Sequence, residues 1–408
     1  MVQGVSVGGE ATALSAMAEA NARLTGLPVP KLPVFRLSIA TVLIAACAQT
    51  AGVCWPFDFF FPQGQPIWWL QLVAMALLCR ALVRAGSARQ AAALGLVFAT
   101  TWLSSTFWWL YTSMHTYAGL HALLTVVAVV ALAAALGLYY AAACAAFWRL
   151  GRDRGWRATW VFAAVWTAAE MARGTWLTGF GWGAIGYAHV QGPLAPFIPW
   201  LGAYGVGALA AWLAAAVVLG TRRHRGVWIA VLGLLIAGYG LPTGHWSQPA
   251  GSLSVTLLQG NIPQDEKFQP GTGVREALQW YGAQLQRNTS ALMVAPETAI
   301  PLLPEQLPEG YWQSLQHRFS SGSQAAMVGI PLGSYTQGYT NSVIALSPEN
   351  AAPWQYDKHH LVPFGEFIPP LFKWFTALMN IPLGDFNRGP VGQPSFAWQG
   401  QRLAPNIC

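Results

Sequence analysis

Two acids, a lysine and two histidines fall within ten positions at Asp357-Lys358-His359-His360-Leu361-Val362-Pro363-Phe364-Gly365-Glu366. Only 9% of the 408 residues are Asp, Glu, Lys or Arg, so a cluster this dense calls for an explanation in chemistry. Two further residues complete a candidate set: Glu297, in Val294-Ala295-Pro296-Glu297-Thr298, and Cys408, the final residue. A thiol of ordinary pKa, about 8.5, is only a few per cent thiolate at neutral pH, so it needs help to act as a nucleophile. A carboxylate such as Glu297 could take its proton. The Lys358 ammonium could hold first the thiolate and then the oxyanion of an acyl-transfer intermediate. Each residue also has a plainer reading: Glu297 as a surface acid, Lys358 as a solvated strand lysine, Cys408 as an incidental thiol. His359 and His360 are the conventional alternative bases, but adjacent strand residues point to opposite faces, so at most one would enter a site. No metal-ligand spacing is evident, and no cofactor is expected.

The cysteines narrow this further. Cys47, Cys54, Cys79 and Cys144 fall in or beside apolar runs, where a thiol is usually a small apolar filler. Cys408 is alone in the C-terminal region, and a lone thiol in an oxidising compartment marks a reactive group.

The elements that must position these residues are of two kinds. With 54% apolar residues, the chain is too apolar for a wholly soluble protein. Seven runs approach or exceed the roughly 18 residues of a membrane span, near 37–54, 65–83, 90–110, 119–148, 157–175, 195–220 and 226–243. Residues 1–36 read as a loosely ordered cytoplasmic leader, residues 37–243 as the transmembrane domain, and residues 244–408 as a separate domain. Arg80, Arg84 and Arg89, then Arg149, Arg152, Arg154 and Arg157, then Arg222, Arg223 and Arg225 occupy alternate loops, and the intervening loops have no Lys or Arg. The positive-inside rule makes the arginine loops cytoplasmic and carries everything after about residue 243 to the outer side. Residues 1–243 hold 14 basic and 5 acidic side chains, a balance of +9, whereas residues 244–408 hold 8 and 10, a balance of −2. The basicity therefore marks topology and gives no argument for nucleic acid.

Within the apolar part, Glu170 and Arg173 are three apart on one helix face, where intramembrane charges pair or line a cavity. The loop Trp176-Leu177-Thr178-Gly179-Phe180-Gly181-Trp182 suits interfacial anchoring or lipid access, and Pro56-Phe57-Asp58 with Phe59, Phe60 and Phe61 suits a re-entrant or interfacial turn. Beyond residue 244 the pattern changes. Strands are expected at Ser254 to Gln259, Ala291 to Val294, Ala326 to Ile330, Asn341 to Leu346 and Trp354 to Leu361, with helices near 272–288 and 308–320. This alternation predicts a layered α/β domain with ligands gathered at strand ends, where Glu297 and Cys408 fall.

Four blocks carry a resemblance: Gln259-Gly260-Asn261-Ile262-Pro263-Gln264, Ala295-Pro296-Glu297-Thr298-Ala299-Ile300-Pro301, Lys358-His359-His360-Leu361-Val362-Pro363-Phe364-Gly365-Glu366-Phe367 and Arg388-Gly389-Pro390. In this order after seven apolar runs, they resemble the apolipoprotein N-acyltransferase family, inner-membrane enzymes of Gram-negative-type bacteria with a periplasmic nitrilase-like domain. The resemblance implies a polytopic α-helical membrane domain of about seven spans followed by an α/β nitrilase-like αββα-sandwich. It implies Glu297 as general base, Lys358 as stabiliser of the tetrahedral intermediate and Cys408 as nucleophile, with Glu366 positioning Lys358. Trp246 falls where the family has an aromatic residue implicated in substrate binding. The implied reaction is ping-pong: Cys408 takes an acyl chain from a phospholipid as a thioester and passes it to the α-amino group of a diacylglyceryl-cysteine lipoprotein.

The family continues beyond the nucleophile, whereas this sequence ends on it. The expectation is therefore an incomplete sandwich of about six strands with an open sheet face, and a chain with little or no activity of its own. The α-carboxylate of Cys408 is expected to raise the pKa of its thiol. A membrane-tethered amidase, an inactive homologue with a binding role, and a transporter with an outer accessory domain are the competing classes.

Overall fold

The computed structural model describes residues 32–117, 119–151, 154–220, 225–241, 247–249, 251–334, 336–350, 352–363, 365–368 and 386–407. Cys408, Trp246 and nearly all of the expected leader lie outside the described residues. The chain divides into two compact units, Met1–Gly244 and His245–Cys408.

In the first unit every apolar run is helical: α1 Leu32–Val53, α2 Trp68–Val83, α3 Ala88–Thr106, α4 Ala122–Leu150, α5 Ala158–Thr175, α6 Ile198–Leu219 and α7 Arg225–Gly240. Small residues let the helices approach closely. A Cβ on Gly95 of α3 would stand 2.6 Å from the Cys144 sulfur of α4, so only glycine fits that crossing. Cys79 and Cys144 are buried fillers, as expected, while Cys47 and Cys54 are exposed. By length and composition, two helical stretches among the described residues can cross a membrane, Ala122–Leu150 and Ala195–Leu219. Ala88–Thr106 and Trp109–Tyr117, bent by 55°, make a third if taken together. Leu37–Val53, Trp68–Val83 and Trp228–Gly238 are apolar but shorter. The described residues thus establish an apolar helical region with a few candidate spans.

The aromatic turn after α1 closes on itself, with Trp55 N–H donating to Gln65 O at 3.0 Å and Gly64 N–H to Trp55 O at 2.8 Å. Phe57 and Phe59 stack at 4.8 Å, and Phe60 is 86% exposed. Glu170 and Arg173 are both 1% exposed, yet they do not form an ion pair with each other. Arg173 Nη1 donates to Phe180 O at 2.6 Å and Trp182 O at 2.8 Å, its Nε donates to Tyr140 Oη at 2.9 Å, and Glu170 accepts from Ile185 N–H at 3.0 Å. The expected pairing gives way to two charges that hold one loop.

The second unit is built on a five-stranded sheet. Its strands are β1 Val255–Leu257, β2 Leu292–Val294, β3 Ala325–Ser334, β4 Gly338–Leu346 and β5 Trp354–Asp357, neighbours in that order. β1, β2 and β3 run parallel, joined through α8 Gly273–Arg287 and α9 Tyr311–Ser320; β4 and β5 return antiparallel. Strand alternation divides the apolar residues between two faces. Met293, Ala326, Val328 and Ile344 pack with Leu278, Leu285, Leu315 and Phe319 of the helices. Burying a side chain such as Phe319 fully stabilises by roughly 1.5–3 kcal/mol. Leu292, Met327 and Val343 on the other face pack with Phe396, Trp398 and Ile407 from the hairpin of β6 Phe396–Trp398 and β7 Gln401–Leu403.

The described residues therefore hold seven strands where about six were expected, and the hairpin partly covers the face expected to be open. They form a mixed layered sheet region and not a complete αββα-sandwich. β5 also stops at Asp357, short of the expected Leu361. Gln393 caps the outer edge at Asp357, accepting from its N–H at 2.8 Å and donating to its carbonyl at 2.7 Å. The next pair in register, Lys358 with Asn341, keeps one ladder bond, from Lys358 N–H, while the Lys358 carbonyl turns to Gly389 N–H at 3.0 Å, and the strand ends there.

Candidate active site

Glu297 is delivered by a turn at the carboxyl end of β2. Ala295 N–H still bonds Met327 O at 2.8 Å, and then Pro296 ends the ladder because it has no N–H to donate. Thr298 adopts φ 51°, a left-handed conformation that costs a β-branched residue energy and persists only where its surroundings enforce it. One enforcing contact is Gly329 in β3. A Cβ there would collide with the Pro296 carbonyl and stand 2.7 Å from Glu297 Cα. A second is Lys267, whose ammonium donates to the Glu297 main-chain carbonyl at 3.1 Å. Burial lowers the pKa of Lys267, and the charge of Glu297 partly restores it.

Lys358 is the first residue beyond β5. Its N–H donates to Asn341 O at 2.8 Å and its carbonyl accepts from Gly389 N–H at 3.0 Å. Gly389 lies so close to Asp357 that a Cβ would overlap the Asp357 carbonyl, which gives the Arg388-Gly389-Pro390 block a physical reason. Lys358 is 2% exposed, so the ammonium must be paired. Nζ donates to Glu366 Oε1 at 2.9 Å and stands 3.8 Å from Glu297 Oε1. Glu366 is brought back by a turn in which its N–H donates to Val362 O at 2.8 Å while Val362 N–H donates to Glu366 Oε2 at 2.8 Å.

Three of the residues singled out in the sequence thus converge: Glu297, Lys358 and Glu366. The remaining members of the dense cluster do not join them. Asp357 Oδ1 accepts from Thr340 at 2.9 Å and Ser342 at 2.6 Å, a structural role at the strand end. His359 Nδ1 bonds the Gly389 carbonyl at 2.6 Å, and both His359 and His360 are exposed. The expectation that one histidine could enter from a strand fails because neither is in a strand.

Sequence reasoning missed Asn341. It is 5% exposed, and Nδ2 donates to Glu297 Oε1 at 2.5 Å and to Glu366 Oε1 at 2.6 Å. A polar, weakly strand-forming residue opening the buried run Asn341-Ser342-Val343-Ile344-Ala345-Leu346 was the available signal.

The two glutamates are not equivalent. Glu366 is 8% exposed and receives Lys358, Asn341 and Val362 N–H on its two oxygens. The Glu297 side chain is 39% exposed, and among the described residues no hydrogen bond reaches its Oε2. That oxygen is free to accept a proton. Glu297 also lines a cavity of about 580 Å³, together with Val294, Met327, Val343, Leu403 and Ile407, the neighbour of Cys408.

A family model described as "Apolipoprotein N-acyltransferase N-terminal domain" matches residues 51–216, within the helical unit. An apolipoprotein N-acyltransferase of Verminephrobacter eiseniae is 52% identical over 391 residues, covering 90% of this chain and 71% of that protein. One from Ralstonia nicotianae is 42% identical over 347 residues, covering 84% and 66%, and one from Nitrosomonas europaea is 37% identical over 381 residues, covering 90% and 73%. With identity this high across both units, the chain belongs to the apolipoprotein N-acyltransferase family.

Proposed function

We propose that this protein N-acylates the N-terminal diacylglyceryl-cysteine of lipoproteins, using a phospholipid as acyl donor and Cys408 as nucleophile. The observation that carries the reading is the arrangement of Lys358 between a saturated glutamate and one with an unengaged oxygen. Glu297 is the general base. It takes the Cys408 proton as the thiolate attacks the ester carbonyl, and returns it to the departing lysophospholipid oxygen. Lys358 stabilises the tetrahedral oxyanion, and Glu366 acts as its fixed counter-ion. The α-amino group of the lipoprotein then attacks the thioester, Glu297 takes a proton from the nitrogen, and the thiol is regenerated as the amide forms. Trp246 contributes to substrate binding.

Both substrates are lipid-anchored, which suits a chain held in the inner membrane. Seven crossings from a cytoplasmic start would put the sheet unit, read as the nitrilase-like domain, on the periplasmic side. In cells depleted of their own enzyme, the chain carried on to the length of its relatives should restore lipoprotein N-acylation. Cys408→Ala should abolish it, and Glu297→Gln should lower it by about 10²–10⁴-fold. Full acylation by either variant would contradict the assignment.

A further inference from the structure

The bundle offers a buried Gln49, Gln71 and His189 group and an exposed aromatic turn, and the sheet unit a groove between its helices. The site itself carries an inference further, resting on the catalytic reading above. We infer that Asn341 is the positioning residue that lets two glutamates stay ionised around one lysine.

Glu297 and Glu366 each present Oε1 to the same amide nitrogen, at 2.5 and 2.6 Å. Two carboxylates this close repel, and the usual outcome is that one of them holds a proton. A protonated Glu297 could not serve as a base. Lys358 is the ammonium that contacts both carboxylates, and the second ammonium nearby, Lys267, bonds Glu297 at its main-chain carbonyl at 3.1 Å. The short contact of Lys358 goes to Glu366, at 2.9 Å against 3.8 Å to Glu297. Asn341 supplies what is missing. An amide NH₂ has two hydrogens and no proton to lose, so it satisfies one oxygen of each glutamate without adding a titrating group.

Both hydrogens are used, which fixes the side chain, and the main chain is fixed as well. Asn341 pairs with Pro331 across the sheet, and its carbonyl accepts Lys358 N–H at 2.8 Å. One residue thereby aligns the lysine through its backbone and the glutamates through its side chain. It also leaves Glu297 Oε2 as the oxygen available to the nucleophile. The neighbouring Asp357 group shows what purely structural bonding looks like in the same strand pair. There Thr340, Ser342 and Gln355 converge on Oδ1 with no ammonium in the group.

The test uses the full-length enzyme in phospholipid vesicles with a diacylated lipopeptide acceptor, comparing wild type with Asn341→Leu and Asn341→Asp. Removing a donor to a carboxylate favours its protonated form, so the acid limb of the rate profile should move to higher pH. With Asn341→Leu, kcat should fall at least about tenfold while KM for the phospholipid changes by less than about threefold. Asn341→Asp keeps the size and the backbone bonds and adds a third acid, so it should move the acid limb the same way. An unmoved acid limb with wild-type kcat in both variants would overturn the inference. So would kcat and KM changing together with an unmoved acid limb, which marks a structural role alone. Glu297→Gln and Cys408→Ala measured alongside separate the two levels: if these are inactive and the Asn341 variants are not, the inference fails and the catalytic reading stands.

Discussion

Each unit buries one constellation of charged side chains, and the two are spent differently. In the helical unit Arg173 and Glu170 bond to the main chain of Phe180, Trp182 and Ile185, and what they hold is a loop. That loop needs holding: Leu177 and Thr178 have φ of 52° and 79°, and Leu177 is 91% exposed. In the sheet unit Glu297, Asn341, Lys358 and Glu366 bond mainly to one another, and one carboxylate oxygen is left over. Buried charge is common to both. What distinguishes the candidate for chemistry is the polar capacity that remains once the hydrogen bonds are assigned.

The comparison can be broken most easily at Arg173. Arg173→Met strands the Phe180 and Trp182 carbonyls, and each buried orphan costs about 1–3 kcal/mol. A large loss of folded protein, read by thermal unfolding in detergent, should accompany a kcat for the surviving enzyme within about threefold of wild type. A stable variant with a selectively depressed kcat would make the helical constellation functional and dissolve the contrast.

Gly329→Ala sharpens the other side. Its Cβ would press on the turn that presents Glu297, so overpacking of about 1–3 kcal/mol should appear in stability. Displacing Glu297, the proposed base, should also lower kcat roughly tenfold. An unchanged kcat would show that the Glu297 turn tolerates movement.

The smallest expected effect is at Tyr311, away from the site, where the hydroxyl donates to Leu278 O at 3.0 Å between α8 and α9. Burial pushes its pKa from 10.0 up to about 12. The folded value exceeds the unfolded one, so the neutral phenol's contribution is fully present below pH 10.0 and is lost as pH rises through about 12. Tyr311→Phe should cost about 1 kcal/mol at neutral pH, and the gap from wild type should close over that alkaline window. A pH-independent gap would contradict the assignment.

Much of this was legible in the sequence, for identifiable reasons. Apolar runs and strand alternation are local signals, and they marked the helices and the strands. Lys358 and Glu366 could be named because charge is rare enough for a cluster to stand out, and Glu297 because it follows Pro296 at a strand end. Asn341 could not, since its partners lie 44 and 25 residues away and nothing near it shows the link. The end of β5 was misread for the same reason, because Gly389, distant in the sequence, takes the Lys358 carbonyl. The number of spans was the least legible part, because hydropathy marks apolar stretches without showing where the helix within each one ends.

On the proposed function, the polar set around Lys358 serves a thioester on Cys408. The direct measurement is mass spectrometry of the purified protein, and of the same chain carried on to the length of its relatives, after incubation with phospholipid alone. An acyl adduct on the Cys408 peptide of the longer protein, removed by hydroxylamine and absent in Glu297→Gln, is the expected result. A folded, longer protein that transfers acyl chains to lipopeptide with no adduct at Cys408 would contradict it.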